Sequence, residues 1–181
     1  MSISERDINE AFLARRQILL QEEIKCSVQD RISASILYLN LQNNSTITLI
    51  INSGGGLAVS GMYICDAIRN SPAPVHGLVI GDAHSAAFDI FQHCDRRLCY
   101  KHARLMFHAI RLNDLPLDRD DFDDHIKEFR EWDDELLRLF SKKSGQPLGR
   151  IRTWSRQERY FGAKEALKLG LIDEIVMPKR L

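Results

Sequence analysis

No apolar run in this 181-residue chain approaches the length needed to cross a bilayer, so a membrane-spanning role is not expected. No charged-then-apolar leader opens it, and the expected location is the cytoplasm. Lysine plus arginine and aspartate plus glutamate balance at 25 each, with no clustered basic stripe. Neither nucleic acid nor an anionic membrane is therefore the expected partner. The four cysteines, Cys26, Cys65, Cys94 and Cys99, never take CxxC spacing. They read as small buried hydrophobes of a reducing compartment, not as metal ligands or disulfide partners. His76, His93, His102 and His125 have no ligand-like spacing either, so no metal and no cofactor is expected. Repeats and low-complexity segments are absent as well. What remains is a single domain over residues 1–181, long enough for a sizeable core.

The richest segment runs from Ile50 to Ala87. Thr46 to Asn52 is a continuous apolar, β-branched run of the kind a buried parallel strand carries. Ser53-Gly54-Gly55-Gly56 breaks it and frees the backbone for positive φ and for close approach by a ligand. A helix from Leu57 to Asn70 follows, then a strand from Val75 to Ile80 that ends in Gly81-Asp82-Ala83-His84-Ser85-Ala86-Ala87. A serine at a strand-to-helix turn has its hydroxyl at a helix N-terminus, where backbone N–H groups meet any developing anion. Gly55 and Gly56 offer a second N–H cluster from the neighbouring turn. Acyl transfer requires that arrangement.

Such a serine needs a base. Ala103 to His108 reads as a third strand ending in histidine, and a carboxylate would fix the tautomer of that ring. Each part alone has a plainer reading: helix N-cap, surface histidine, tight turn. Their order along the chain raises the chemical one. His84 is adjacent to Ser85, and neighbours on a helix point about 100° apart, so it does not face the same hydroxyl.

Elsewhere, Gln17 to Leu20 reads as a short strand, and Asp30 as the cap of a helix carrying Ile32, Ile36 and Leu39. The longest periodic segment runs from Asp120 to Gly145. Phe122, Ile126, Phe129, Leu136 and Phe140 form its stripe, and Trp132 lies beside them as a packing residue. Its acidic opening, Asp120, Asp121, Asp123 and Asp124, complements a helix N-terminus rather than a metal. Short helices over Gly145–Ser155 and Lys164–Gly170 precede a last strand over Ile172–Val176, with Asp173 as a cap or ion-pair partner.

Ile51-Asn52-Ser53-Gly54-Gly55-Gly56 followed by Gly61 to Asp66 resembles the INSPGG segment and its following helix in the proteolytic subunits of Clp protease (ClpP). Gly81 to Ala87 is similar to that family's nucleophile turn, and Ala103 to His108 to its histidine strand. Gln157 to Ala166 with Gly170 to Asp173 resembles its closing segment. The likeness spans about nine tenths of the chain, from near Phe12 to Val176. It implies an α/β fold of repeated ββα units of the ClpP/crotonase type, with a projecting helical handle near residues 109–145. It also implies a serine endopeptidase that cleaves unfolded polypeptide inside a barrel of stacked rings, fed by an AAA+ ATPase. Carried over by position, Ser85 is the nucleophile, His108 the general base and Glu158 the third member. The N–H groups of Gly56 and Ala86 form the oxyanion hole.

Three departures stand against that pattern. Gly54 replaces the loop proline and removes a φ constraint. Glu158 replaces aspartate and is one methylene longer. Arg111 to Asp118, with Pro116, replaces a glycine-rich strand that pairs with substrate, and proline cannot donate to a ladder. A catalytically weak or inactive subunit in a mixed ring with an active paralogue therefore stands as the alternative to an active homo-oligomer. A crotonase-type acyl-CoA enzyme, with its two-N–H hole, is a third reading.

Overall fold

A computed structural model of the protein describes residues 4–110 and 122–177. Helix α1 (Glu5–Leu13) opens on a capping box between Ser4 and Asp7. Strand β1 (Gln17–Leu20), helix α2 (Cys26–Gln42) and strand β2 (Ile47–Ser53) follow. Then come α3 (Ala58–Arg69), β3 (Val75–His84), α4 (Ala86–His93), β4 (Arg96–Tyr100) and β5 (Arg104–Phe107). Helix α5 (Phe122–Ser144) leads to α6 (Leu148–Gln157), β6 (Arg159–Gly162), α7 (Ala163–Lys168) and β7 (Glu174–Val176).

The sheet is mixed α/β in character and mostly parallel, in the order β1-β2-β3-β4-β7. β2 is apolar almost throughout because both faces of a parallel sheet are covered by helices; Ile47, Leu49, Ile50 and Ile51 are all buried. The ten-residue β3 serves two neighbours on one edge. Its first half, His76 to Val79, pairs with β4, and its second half, Asp82 to His84, pairs with β5. β6 then runs antiparallel on β5 and, among the described residues, pairs with no other strand.

Three buried phenylalanines fix the helices to this split. Phe88 of α4, Phe107 of β5 and Phe140 of α5 have ring centroids 5.0–5.5 Å apart. Each such ring contributes on the order of 1.5–3 kcal/mol by leaving water, plus about 0.5–1.5 kcal/mol from ring geometry. A second tie is polar. Buried Arg97 donates to Asp173 Oδ1 (2.6 Å) and to Gln92 Oε1 (2.9 Å), and Gln92 Nε2 donates to the Leu171 carbonyl (2.9 Å). Burial works against the Asp173 carboxylate, yet the Arg97 hydrogen bonds hold it below the usual range. This is the ion-pair role expected for Asp173.

Several boundaries move. Helix α2 starts at Cys26 with Lys25 as its N-cap, not at Asp30, and Lys25 makes no side-chain cap bond. Tertiary packing of Val28, Ile32, Ile36 and Leu39 sustains that first turn instead of a cap. β3 extends to His84 because β5 supplies a further edge to pair with. Strands β4 and β6 and helix α1 were not expected: each is short, and β4 opens Arg96-Arg97. Cys65, Cys94 and Cys99 are buried, but Cys26 is exposed. The acidic residues Asp120 and Asp121 and the segment Arg111–Asp118 with Pro116 lie outside the described residues. No helix among the described residues is long and apolar enough to cross a membrane.

Candidate active site

Ser85 is the only residue between β3 and α4. Its φ of 54° with ψ of −127° is a conformation that side-chain-bearing residues rarely adopt, at a cost on the order of 1–3 kcal/mol. Backbone hydrogen bonds on both sides enforce it. The Ser85 N–H donates to the Met106 carbonyl (2.9 Å), and the Ser85 carbonyl accepts from Phe88 (2.8 Å) and Asp89 (3.1 Å). Ala86 heads α4, so its N–H has no partner within the helix.

The glycine turn presses on this corner from the end of β2. A methyl group on Gly55 (φ 96°) would lie 2.6 Å from the His84 carbonyl oxygen and 2.8 Å from Ser85 Cβ. On Gly56 (φ 150°) it would lie 2.3 Å from the Ile24 carbonyl oxygen. Both positions therefore require glycine. Ile24 donates to the Gly55 carbonyl and accepts from the Leu57 N–H, both at 2.8 Å, which leaves the Gly56 N–H out of that bridge. Ser53 Oγ accepts the Gly55 N–H (3.2 Å) and donates to the Glu22 carbonyl (2.6 Å). The order a proline would have lent at position 54 thus comes from packing and hydrogen bonds; a methyl on Gly54 meets nothing within 4 Å.

Ser85, Gly54, Gly55, Gly56 and His108 line one cleft of about 430 Å³, together with Glu23 and Met106. His108 follows β5, whose carbonyl at Met106 already holds the serine turn. Its Nδ1 sits 2.5 Å from the Ala109 carbonyl oxygen. A carbonyl only accepts, so a neutral ring donating there from Nδ1 would leave Nε2 for a general base.

Glu158 does not line the cleft. It ends α6 in the left-handed region (φ 50°, ψ 71°), and its Oε1 accepts from the Tyr160 hydroxyl at 3.2 Å. Arg159 pairs with Glu165 (2.7 Å). The register of β5 and β6 nonetheless runs toward the histidine: Met106 faces Tyr160 and Phe107 faces Arg159. One step further, His108 and Glu158 are the next positions beyond the ends of the two strands. His84 turns its ring edge-on to Tyr160 at 5.6 Å.

A second cavity, of about 500 Å³, is lined by α3, α4 and α5. Asp89, one helical turn after Ser85, lines it; that i+4 spacing was visible in the sequence, but nothing there showed the carboxyl to be inside. Burial, then the nearby Asp133, hold the Asp89 carboxyl well above the usual range. Asp133 is itself raised, chiefly by burial, and accepts a long hydrogen bond (3.5 Å) from the Ile110 N–H. At the far end of α4, burial pushes the His93 imidazole down to about 4.

A family model described as Clp protease matches residues 2–179. Among curated relatives, the ATP-dependent Clp protease proteolytic subunit of Sorghum bicolor is 26% identical over 170 residues, 92% of this chain and 79% of the relative. The proteins of the same name from Zea mays and Oryza sativa subsp. indica show the same identity and coverage. With a mostly parallel sheet, a serine turn, a glycine turn and a histidine strand in matching order, the chain belongs to the Clp protease family.

Proposed function

We propose that this chain is a serine endopeptidase in which Ser85 attacks the scissile carbonyl. His108 Nε2 takes the serine proton and later gives it to the leaving amine, while Gly56 and Ala86 N–H groups hold the developing oxyanion. Glu158 would orient the imidazole and stabilise its protonated form. The observation that carries this reading is the Ser85 turn. A strained serine at the head of α4 shares one cleft with a positive-φ glycine loop and a histidine whose Nδ1 faces a backbone carbonyl. The substrate would be unfolded polypeptide, met inside a ring-forming homo-oligomer in the cytoplasm with an AAA+ ATPase as feeder.

A second reading has its own observation. The His108 Nδ1 contact goes to the adjacent Ala109 carbonyl, and a hydroxyl occupies Glu158 Oε1. A subunit left in that state would be weak, with a structural role beside an active paralogue. A fluorophosphonate probe separates the two. Labelling at Ser85, with peptide hydrolysis lost in Ser85→Ala by about four orders of magnitude or more, is expected for the peptidase. Unchanged hydrolysis in Ser85→Ala would remove Ser85 from the role, and no labelling of the assembled protein would favour the structural subunit.

A further inference from the structure

His84 places an imidazole where the fold gives one of its nitrogens nothing to bond. Its Nε2 is sealed from solvent and has no hydrogen-bond partner among the described residues. Asp82 Oδ1 stands 3.6 Å away, beyond hydrogen-bond reach. A ring nitrogen left in that state costs stability, and a leucine would fill the place without the cost. Nor does the side chain serve the cleft directly: Ser85, Met106 and His108 line it, and His84 does not.

The sheet register shows what the ring does meet. His84 pairs with Met106 of β5, and Met106 pairs with Tyr160 of β6, so the three side chains form one row on one face. Met106 is buried in the middle of that row. The outer two reach over it, and the His84 and Tyr160 rings meet at 5.6 Å with an interplanar angle of 82°. Tyr160 is otherwise a surface residue, 53% exposed, and no other ring meets it among the described residues. From this held ring its hydroxyl donates to Glu158 Oε1 at 3.2 Å. A surface tyrosine gives up rotamer freedom to make such a bond, and the contact with His84 restrains the ring in advance.

We propose that His84 is a positioning residue: by holding the Tyr160 ring across β5 it keeps the phenol hydroxyl on Glu158, and so steadies the carboxylate that orients His108. The inference rests on the peptidase reading above and adds a residue to its acid end. His84 acts through Tyr160 and not on a reacting atom. The serine turn does not depend on its side chain, because backbone makes that turn: the Ser85 N–H on the Met106 carbonyl, and the His84 carbonyl against Gly55.

Two substitutions separate this role from a structural one. In His84→Leu, kcat of the assembled protein for a short fluorogenic peptide should fall about threefold to fivefold with KM little altered, while Tm stays level or rises. His84→Phe keeps an aromatic ring for Tyr160 and should retain the wild-type kcat. In a Glu158→Gln background, which has no carboxylate to steady, His84→Leu should make no further difference. An unchanged kcat in His84→Leu would overturn the proposal, as would a Tm lowered in step with kcat. So would an equal loss in His84→Phe, or a loss that recurs in full in the Glu158→Gln background. Fluorophosphonate labelling of Ser85 in the wild type tests the peptidase reading separately, so the two can fail independently. A crystal structure of the assembled His84→Leu protein reads the contact without catalysis. The Tyr160 ring is expected to be turned away from Glu158; a hydroxyl still seated on Glu158 would overturn the proposal whatever the hydrolysis shows.

Discussion

The two ends of the site are built to different tolerances. At the nucleophile end, Ser85 is held by backbone on every side: Met106 below, Phe88 and Asp89 above, Gly55 across. Little there depends on a side-chain rotamer, so the geometry exists before any substrate arrives. At the acid end, His108 leans on the carbonyl of its own neighbour, and Glu158 hangs from a left-handed helix cap with its carboxylate on a tyrosine hydroxyl. Flexible side chains carry that half. On the proposed reading, the serine and the oxyanion donors are set by backbone, whereas His108 and Glu158 would have to tighten on binding, as such contacts often do.

Breaking the rigid end should have the larger effect. Gly56→Ala puts a methyl 2.3 Å from the Ile24 carbonyl oxygen at a φ that alanine rarely adopts. The turn must shift and carry the proposed oxyanion donor with it. Hydrolysis is expected to fall about a thousandfold, with a lowered Tm in calorimetry. Retained activity in Gly56→Ala would mean that this N–H does not serve the oxyanion.

Glu158→Gln probes the loose end. It should lower kcat about a hundredfold with KM little altered, whereas Tyr160→Phe, which removes one hydrogen bond to the carboxylate, should cost a few-fold at most. A larger loss in Tyr160→Phe than in Glu158→Gln would assign the support of His108 to the tyrosine side. A carboxylate oxygen remote from both ring nitrogens in an inhibitor-bound assembly would remove Glu158 from the role.

The smallest effect concerns stability at the far end of the nucleophile's helix. His93 has its value depressed from 6.5 to about 4 by burial. Between those values the unfolded chain binds a proton that the folded chain refuses, so stability is lost as pH falls through that window. The loss is at most about 3 kcal/mol. Asp89, raised above its ordinary value, acts in the opposite sense, so the informative quantity is the difference from His93→Gln. Urea midpoints of wild type and His93→Gln should diverge between neutral pH and pH 4; parallel profiles would mean that His93 charges freely in the fold.

Much of this arrangement was legible in residue order. A β-branched run, three glycines, an apolar helix and a second strand could only make adjacent parallel strands with both turns at one edge, and β2, α3, β3 and α4 lie there. The partition of β3 between β4 and β5 was not legible. Pairing partners depend on where short strands stop, and Arg96 to Tyr100 carries arginines that mask its strand character; Arg97 is buried only because Asp173 and Gln92 receive it. Asp89 was invisible for a similar reason. An aspartate in the first turn of a helix ordinarily faces water and complements the dipole. Only the assembled α3–α4–α5 wall shows that this one does not.

The shared strand has a consequence for how the protein opens. β5 joins the main sheet through three residue pairs, Asp82 with Arg104, Ala83 with Leu105 and His84 with Met106, and β6 reaches the sheet only through β5. The ladder of this ribbon is short, although Leu105, Phe107 and Phe161 anchor it in the core. The amides of Arg159 to Gly162 should exchange with deuterium through openings far cheaper than global unfolding, while Ile47 to Ile51 wait for the whole sheet. The Ser85 amide, bonded to Met106, would report the boundary between the two. The proposed catalytic arrangement would then be lost with one ribbon while the rest of the sheet stays paired.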